Sequence, residues 1–162
     1  MVKWYVPRYK GKVPAPWLFG EGMTYTNFSL AVAGAADGAD SPAGGTYTAT
    51  VTNTGGVAAA QTVMLFARPV SVPDAPAGPL PNRQLFDFGR TPTLAPGASA
   101  KLSFTVTSEA VALVDWAGSK KAYAGSYEIE FSTGGKAASH VEKYAVAATT
   151  TLSTVPPPHK NP

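Results

Sequence analysis

The sequence predicts an all-β protein, two antiparallel sheets of about seven short strands packed face to face, with an extended arm at each end. Three observations carry this expectation. Apolar residues recur at a period of two, as at Tyr47, Ala49 and Val51 or at Tyr127, Ile129 and Phe131, which is the pattern of a half-buried strand. Turn residues stand between such stretches, and 16 glycines with 15 prolines in 162 residues are too many for a helical bundle. Hydrophobic content is 44% against 14% charged, which places the chain among globular rather than disordered sequences. There is no cysteine, so disulfides and thiolate metal sites are excluded and the core must stand without crosslinks.

Residues 1–16 read as an extended arm, because Pro7, Pro14 and Pro16 forbid a continuous helix. Its first twelve residues hold Lys3, Arg8, Lys10 and Lys12 and no acid, so the arm carries more positive charge than the whole chain's net +3. The main domain is expected over residues 17–148. It opens on WLFGEGMTYTNF, where Gly20 and Gly22 predict a tight structural turn that aims the first strand. Phe28, Leu30 and Val32 then fall on one face. After a small-residue loop, Thr46 to Asn53 alternates, and Asn53-Thr54-Gly55-Gly56 signals a turn.

QTVMLFARP, residues 61–69, is apolar on both faces and predicts a central strand with one face on the core and the other covered. A proline-rich excursion to Pro81 follows, and then Arg83 to Phe88. Leu94-Ala95-Pro96-Gly97 is a turn, and Leu102, Phe104 and Val106 point inward from the next strand. SEAVALVDW, from Ser108, predicts one short helical or 3₁₀ turn. GSYEIEFS and VEKYAV supply the last two strands. Residues 149–162, threonine-rich and then Pro156-Pro157-Pro158, are expected as an extended polyproline-type tail. This strand count and spacing has immunoglobulin or fibronectin type III-like character.

Several of these stretches carry a resemblance. FGEGMTYTNF resembles the F-G-x-G-(L/M)-(S/T)-Y-T-x-F run that opens the C-terminal fibronectin type III-like domain of glycoside hydrolase family 3, a family of β-glucosidases and β-xylosidases. TATVTNTGG, VMLFARP, RQLFDF, LAPG and GSYEIEFS are similar to further runs of that domain, in the same order, so the resemblance spans roughly Trp17 to Val146. Trp4, Tyr5, Tyr9 and Lys12-Val13-Pro14 resemble the run that precedes the domain in plant-type β-xylosidases, with a shorter connection here. The resemblance implies an accessory, non-catalytic domain of a carbohydrate-active enzyme and an extracellular setting. In that family the nucleophile lies in a barrel domain and the acid/base in an α/β domain, so no catalytic residue carries over to this chain.

The residues themselves offer little chemistry. Gly20-Glu21-Gly22 lacks the third glycine and the strand–helix context of a dinucleotide fingerprint. Glu128 and Glu130 share one strand face at roughly 6–7 Å, a spacing compatible with paired carboxylates but better explained by a solvated outer face. His140 and His159, the only two histidines, make neither a metal site nor a triad, and no cofactor is expected. Asn27-Phe28-Ser29 is a glycosylation sequon, with Asn27 outward if Phe28 is inward. Trp4, Tyr5, Tyr9, Trp17 and Trp116 are the candidate partner or sugar contacts. No apolar run is long enough to span a membrane, and Lys3, Trp4 and Pro7 break up any signal-peptide h-region. The basic arm could touch nucleic acid, but no recognition motif accompanies it. The functional expectation is therefore a packing module that self-associates or joins a larger assembly through its arms, even as a filament. The alternative is an accessory domain of a family 3 enzyme with a carbohydrate-related role.

Overall fold

The alternating stretches pair as the period-two pattern requires. The computed structural model describes residues 22–34, 45–134 and 139–154. Its strands are β1 (Phe28–Ala33), β2 (Gly45–Asn53), β3 (Thr62–Ser71), β4 (Gln84–Arg90) and β5 (Ser99–Val106), then β6 (Leu113–Val114), β7 (Ser119–Ala122), β8 (Gly125–Ser132), β9 (Ser139–Val146) and β10 (Thr150–Thr154). A 3₁₀ turn, Ser108–Val111, lies between β5 and β6. One sheet runs β1-β2-β5 and the facing one β4-β3-β8-β9, all antiparallel. These are the seven strands expected from the sequence.

The core fills the space between the two sheets. Tyr47, Ala49 and Val51 from β2 meet Val63 and Leu65 from β3 and Tyr127, Ile129 and Phe131 from β8, all buried. Phe131 is the central ring, 5.3 Å from Tyr47 and 6.3 Å from Phe104, in the tilted and edge-on geometries that aromatic quadrupoles favour. β1 closes the sandwich with Phe28, Leu30 and Val32 half-buried against this cluster. The doubly apolar β3 behaves as expected, burying Met64 and Phe66 on its outer face as well. The cover over Phe66 comes from the chain itself: the Arg83 guanidinium lies 3.6 Å from the ring centroid.

Two stretches differ from the sequence expectation. Beyond the 3₁₀ turn, residues 113–122 form the hairpin β6–β7, which the sequence does not announce because β6 has only two residues. The start of the tail is also not a free extension: Thr150–Thr154 pairs with β7 as β10, and Leu152 packs against the core. The β-branched threonines precede the prolines, so that segment can still donate to a ladder. The prolines themselves, and the arm of residues 1–16, lie outside the described residues.

Asn53 ties one end of the sandwich together. It is fully buried and uses every polar group it has. Its Oδ1 accepts from Thr26 Oγ1 at 2.7 Å and from Gly55 N at 3.0 Å. Its Nδ2 donates to the carbonyls of Val57 at 2.8 Å and Leu94 at 2.9 Å. Its main chain bonds the 95–98 turn through Ala98 O and Gly97 N. Glycine is demanded beside it: a Cβ at Gly55 would stand 2.2 Å from Thr26 Oγ1 and 2.6 Å from Asn27 N. At Gly22, by contrast, a Cβ would meet nothing within 4 Å among the described residues. Gly20 lies outside the described residues.

The opposite end is fixed by Tyr127, whose hydroxyl donates to Tyr123 O at 2.8 Å across the entry to β8. This is the tyrosine corner of immunoglobulin-like sandwiches.

Replacing Asn53 by Ala strands several buried groups at once, and each unmet group costs about 1–3 kcal/mol, so the variant is expected to lose on the order of 3 kcal/mol in urea denaturation. Gly55→Val should be comparably damaging, and Gly22→Val nearly silent in the same assay. An Asn53→Ala midpoint equal to the parent's would remove Asn53 from its central role.

Alkaline pH gives an independent check. Burial pushes the Tyr127 hydroxyl up to about 12, and burial raises Tyr144 as well. A phenol harder to ionise when folded contributes stability that is whole below the unfolded value near 10 and is lost as pH climbs through the folded one. Unfolding free energy should therefore decline between about pH 10 and 12, less steeply in Tyr127→Phe.

Candidate functional site

The structure engages in ion pairs the two carboxylates that the sequence offers as a pair. Glu128 and Glu130 do share the outer face of β8, as strand alternation demands. Each, however, is taken by its own arginine: Glu128 by Arg68 from β3, and Glu130 by Arg83 at 3.0 Å. Arg83 also stacks on Phe66, so Glu130 holds a lid over an apolar ring and is not poised beside a ligand. His140 lies 2.5 Å from Glu142 on the same edge strand. Among the described residues no group of three or more His, Cys, Asp or Glu side chains could hold a metal ion. Among them, too, no helix is long and apolar enough to cross a membrane.

What the outer face of the four-stranded sheet offers instead is apolar surface. Antiparallel partners lie on one face, so Phe88 sits beside Met64, and Leu85 and Val141 flank Phe66 through the pairs Phe66↔Leu85, Phe66↔Glu130 and Glu130↔Val141. Phe88 is 67% exposed, Val141 51% and Leu85 39%.

The second feature is Trp116, 89% exposed at the tip of the β6–β7 hairpin. The tip is a turn closed by Gly118 N to Asp115 O at 3.0 Å, with Gly118 at φ +81°. Asp115 Oδ1 accepts from the amides of Ala117 at 3.0 Å and Ser119 at 2.9 Å, and Oδ2 pairs with Lys121 at 2.9 Å. That bond to Lys121 is the main reason the Asp115 carboxyl lies below its ordinary range, and it raises Lys121 in turn. Trp116 Nε1 donates to Ala77 O at 3.0 Å, so the indole is pinned by its edge to the β3–β4 connection.

Beside the hairpin lies an open groove of about 340 Å³ between the edges of β4 and β5 that no described strand pairs, lined in part by Gln84, Asp87, Thr105, Thr107, Glu109 and Lys120. Sequence reasoning singled out Trp116 but not this groove, whose residues come from four elements with no local spacing to connect them. Asn27 is exposed, as expected from alternation. Trp4, Tyr5, Tyr9 and Trp17 lie outside the described residues.

Comparison with known proteins agrees with the architecture. Residues 61–134 match the fibronectin type III-like domain family. A solved family 3 β-glucosidase of Bifidobacterium adolescentis superposes with a TM-score of 0.63 at 30% identity, covering 77% of this chain and 18% of its own. Residues 61–134 are thus a fibronectin type III-like domain similar to those of family 3 β-glycosidases. A probable exo-1,4-β-xylosidase of Aspergillus fumigatus is 41% identical over 83 residues, which is 51% of this chain and 10% of that protein. β-Glucosidase 3B of Thermotoga neapolitana shares the fold, with a TM-score of 0.70 at 20% identity over 85% of this chain and 18% of its own. The chain thus spans about a tenth to a fifth of the length of the proteins it matches.

With both glutamates bound to arginines, the purified chain is expected to release no nitrophenol from aryl β-xylosides or β-glucosides. Glu128→Gln and Glu130→Gln should register only as stability changes of about 1 kcal/mol or less, the usual worth of a partly exposed ion pair. Turnover that disappears in either variant would contradict this reading.

Proposed function

We propose that this fibronectin type III-like domain works by packing: it is the non-catalytic accessory part of a family 3 β-glycosidase and seats against the enzyme's catalytic body through the outer face of its four-stranded sheet. The supporting observation is the exposed pair Phe88 and Leu85 beside the buried Met64 and Phe66, with Val141 exposed farther across the same face. An exposed aromatic side chain on an apolar strip with charged groups alongside has the make-up of a protein contact. Arg68–Glu128 and Arg83–Glu130 border that strip on its β8 side. The proteins that this chain resembles are five to ten times longer than the stretch they share with it, which is why a catalytic body is preferred to a second copy as the partner.

The test mixes the full chain with a family 3 β-xylosidase from which the corresponding domain has been deleted. The chain alone should sediment as a monomer, bind the truncated enzyme and raise its melting temperature. Phe88→Asp, folded by circular dichroism, should weaken the complex about tenfold or more, the scale of losing one central aromatic contact. A full chain that forms dimers or polymers, dissolved by Phe88→Asp or by deleting residues 2–12, would assign the packing to copies of this chain and revive the arm-exchange expectation. If neither complex forms, the packing reading fails.

A further inference from the structure

The groove between β4 and β5 and the indole of Trp116 are joined by the elements that build them. Lys120, on the groove wall, pairs in register with Val114, and Trp116 lies two residues beyond Val114 on the same hairpin, about 7 Å along it. On the opposite side, Ala77, which holds the indole N–H, belongs to the connection that runs into β4 and so into Gln84. We propose that groove and indole together bind a neutral saccharide chain, its hydroxyls in the groove and one pyranose ring on the face of Trp116.

The chemistry of the two parts is complementary in the way such a ligand requires. The groove supplies an amide from Gln84, hydroxyls from Thr105 and Thr107, and the carboxylate of Asp87, groups that donate to and accept from sugar hydroxyls. Lys120 is paired with Glu109, which leaves Asp87 as the remaining charge, so nothing there favours an anionic ligand. The indole has already spent its single donor on Ala77 O. What it still presents is a fixed flat apolar surface, fit for the C–H face of a pyranose. A solvent-facing tryptophan is costly, and one held by an aspartate-capped turn, a Lys121 ion pair and its own N–H bond is set in place before any ligand arrives.

The rival occupant is an extended peptide adding to the open edge of β4. The edge is poorly made for that. The register of β3 with β4 shifts between Leu65 and Phe66, leaving Phe86 as an extra residue, and such a bulge interrupts the regular row of backbone groups that strand addition needs. The proposal does not depend on the packing reading, which rests on Phe88, Leu85 and Val141; of these only Leu85 also lines the groove.

The experiment titrates the ¹⁵N-labelled full chain with xylohexaose and, separately, cellohexaose, following amide shifts and calorimetry. Shifts are expected to cluster at residues 84–87, 105–109 and 115–120, with millimolar-range or tighter binding of at least one of the two. Trp116→Ala should weaken it about tenfold or more with the melting temperature unchanged, since the side chain is already exposed. Trp116→Phe, which keeps a ring, should restore part of the affinity, and Gln84→Ala should weaken binding several-fold. Absence of shifts with either hexaose at tens of millimolar overturns the proposal. So does binding that Trp116→Ala leaves untouched, and so does a response confined to β4 amides on adding an extended peptide in place of the sugar.

Discussion

The hydrogen bonds of Asn53 are the constraint on which the arrangement of this sandwich depends. A single amide side chain joins the lead-in to β1 at Thr26, the turn after β2 and the approach to β5 at Leu94, while its main chain holds the 95–98 turn. Hydrophobic burial is non-directional and could draw the sheets together in more than one offset. A buried amide whose donors and acceptors are all met in one geometry only removes the alternatives, and removing it leaves groups that cannot be satisfied separately. The steric demand at Gly55 follows from this network, because Thr26 can reach Asn53 only by crossing where a Cβ would be.

Much of this architecture was legible in the sequence, and the reasons are local. The period-two runs at 45–53, 99–106 and 125–132 identify their inward faces without any tertiary information. Ala95-Pro96-Gly97-Ala98 announces its turn because proline presets one backbone angle and glycine accepts φ +78° at the next position. What was not legible depends on partners far apart in the chain. The turn signal at Asn53 is visible, but its reach to residues 26 and 94 is not. At Gly55 likewise, the sequence suggests a turn, whereas the crowding depends on Thr26 and Asn27 passing nearby. The hairpin at 113–122 was missed because Ser-Lys-Lys-Ala shows no alternation, and β10 because the prolines after it dominate that stretch. Of the candidate site, an exposed tryptophan in a short turn could be singled out, but a groove built from four elements could not.

The outer face of the four-stranded sheet shows how an apolar strand can be central without a second layer of secondary structure over it. β3 needs cover on both sides, and the fold supplies it on the outside with Arg83, anchored by Glu130 and laid flat on Phe66. A guanidinium suits this position because it is planar, weakly hydrated and able to stack and pair at once, which lysine cannot do equally well. The two glutamates that the sequence offers as a carboxylate pair are therefore part of the packing of β3. The cover stops short of Phe88, and the surface left open there is where the sandwich is least complete by itself.

The pairing of β10 with β7 has a consequence for the order in which the molecule is made. The hairpin that presents Trp116 has only two residue pairs of its own, Leu113↔Lys121 and Val114↔Lys120, while β10 adds four more along β7. A two-stranded hairpin of that size has little stability in isolation. During synthesis from the N terminus, the seven strands of the two main sheets are complete once β9 has emerged, yet the hairpin still lacks its third strand. The ladder behind the indole is thus completed by the last described segment to leave the ribosome, and the nascent sandwich can close its core before that hairpin has its third strand.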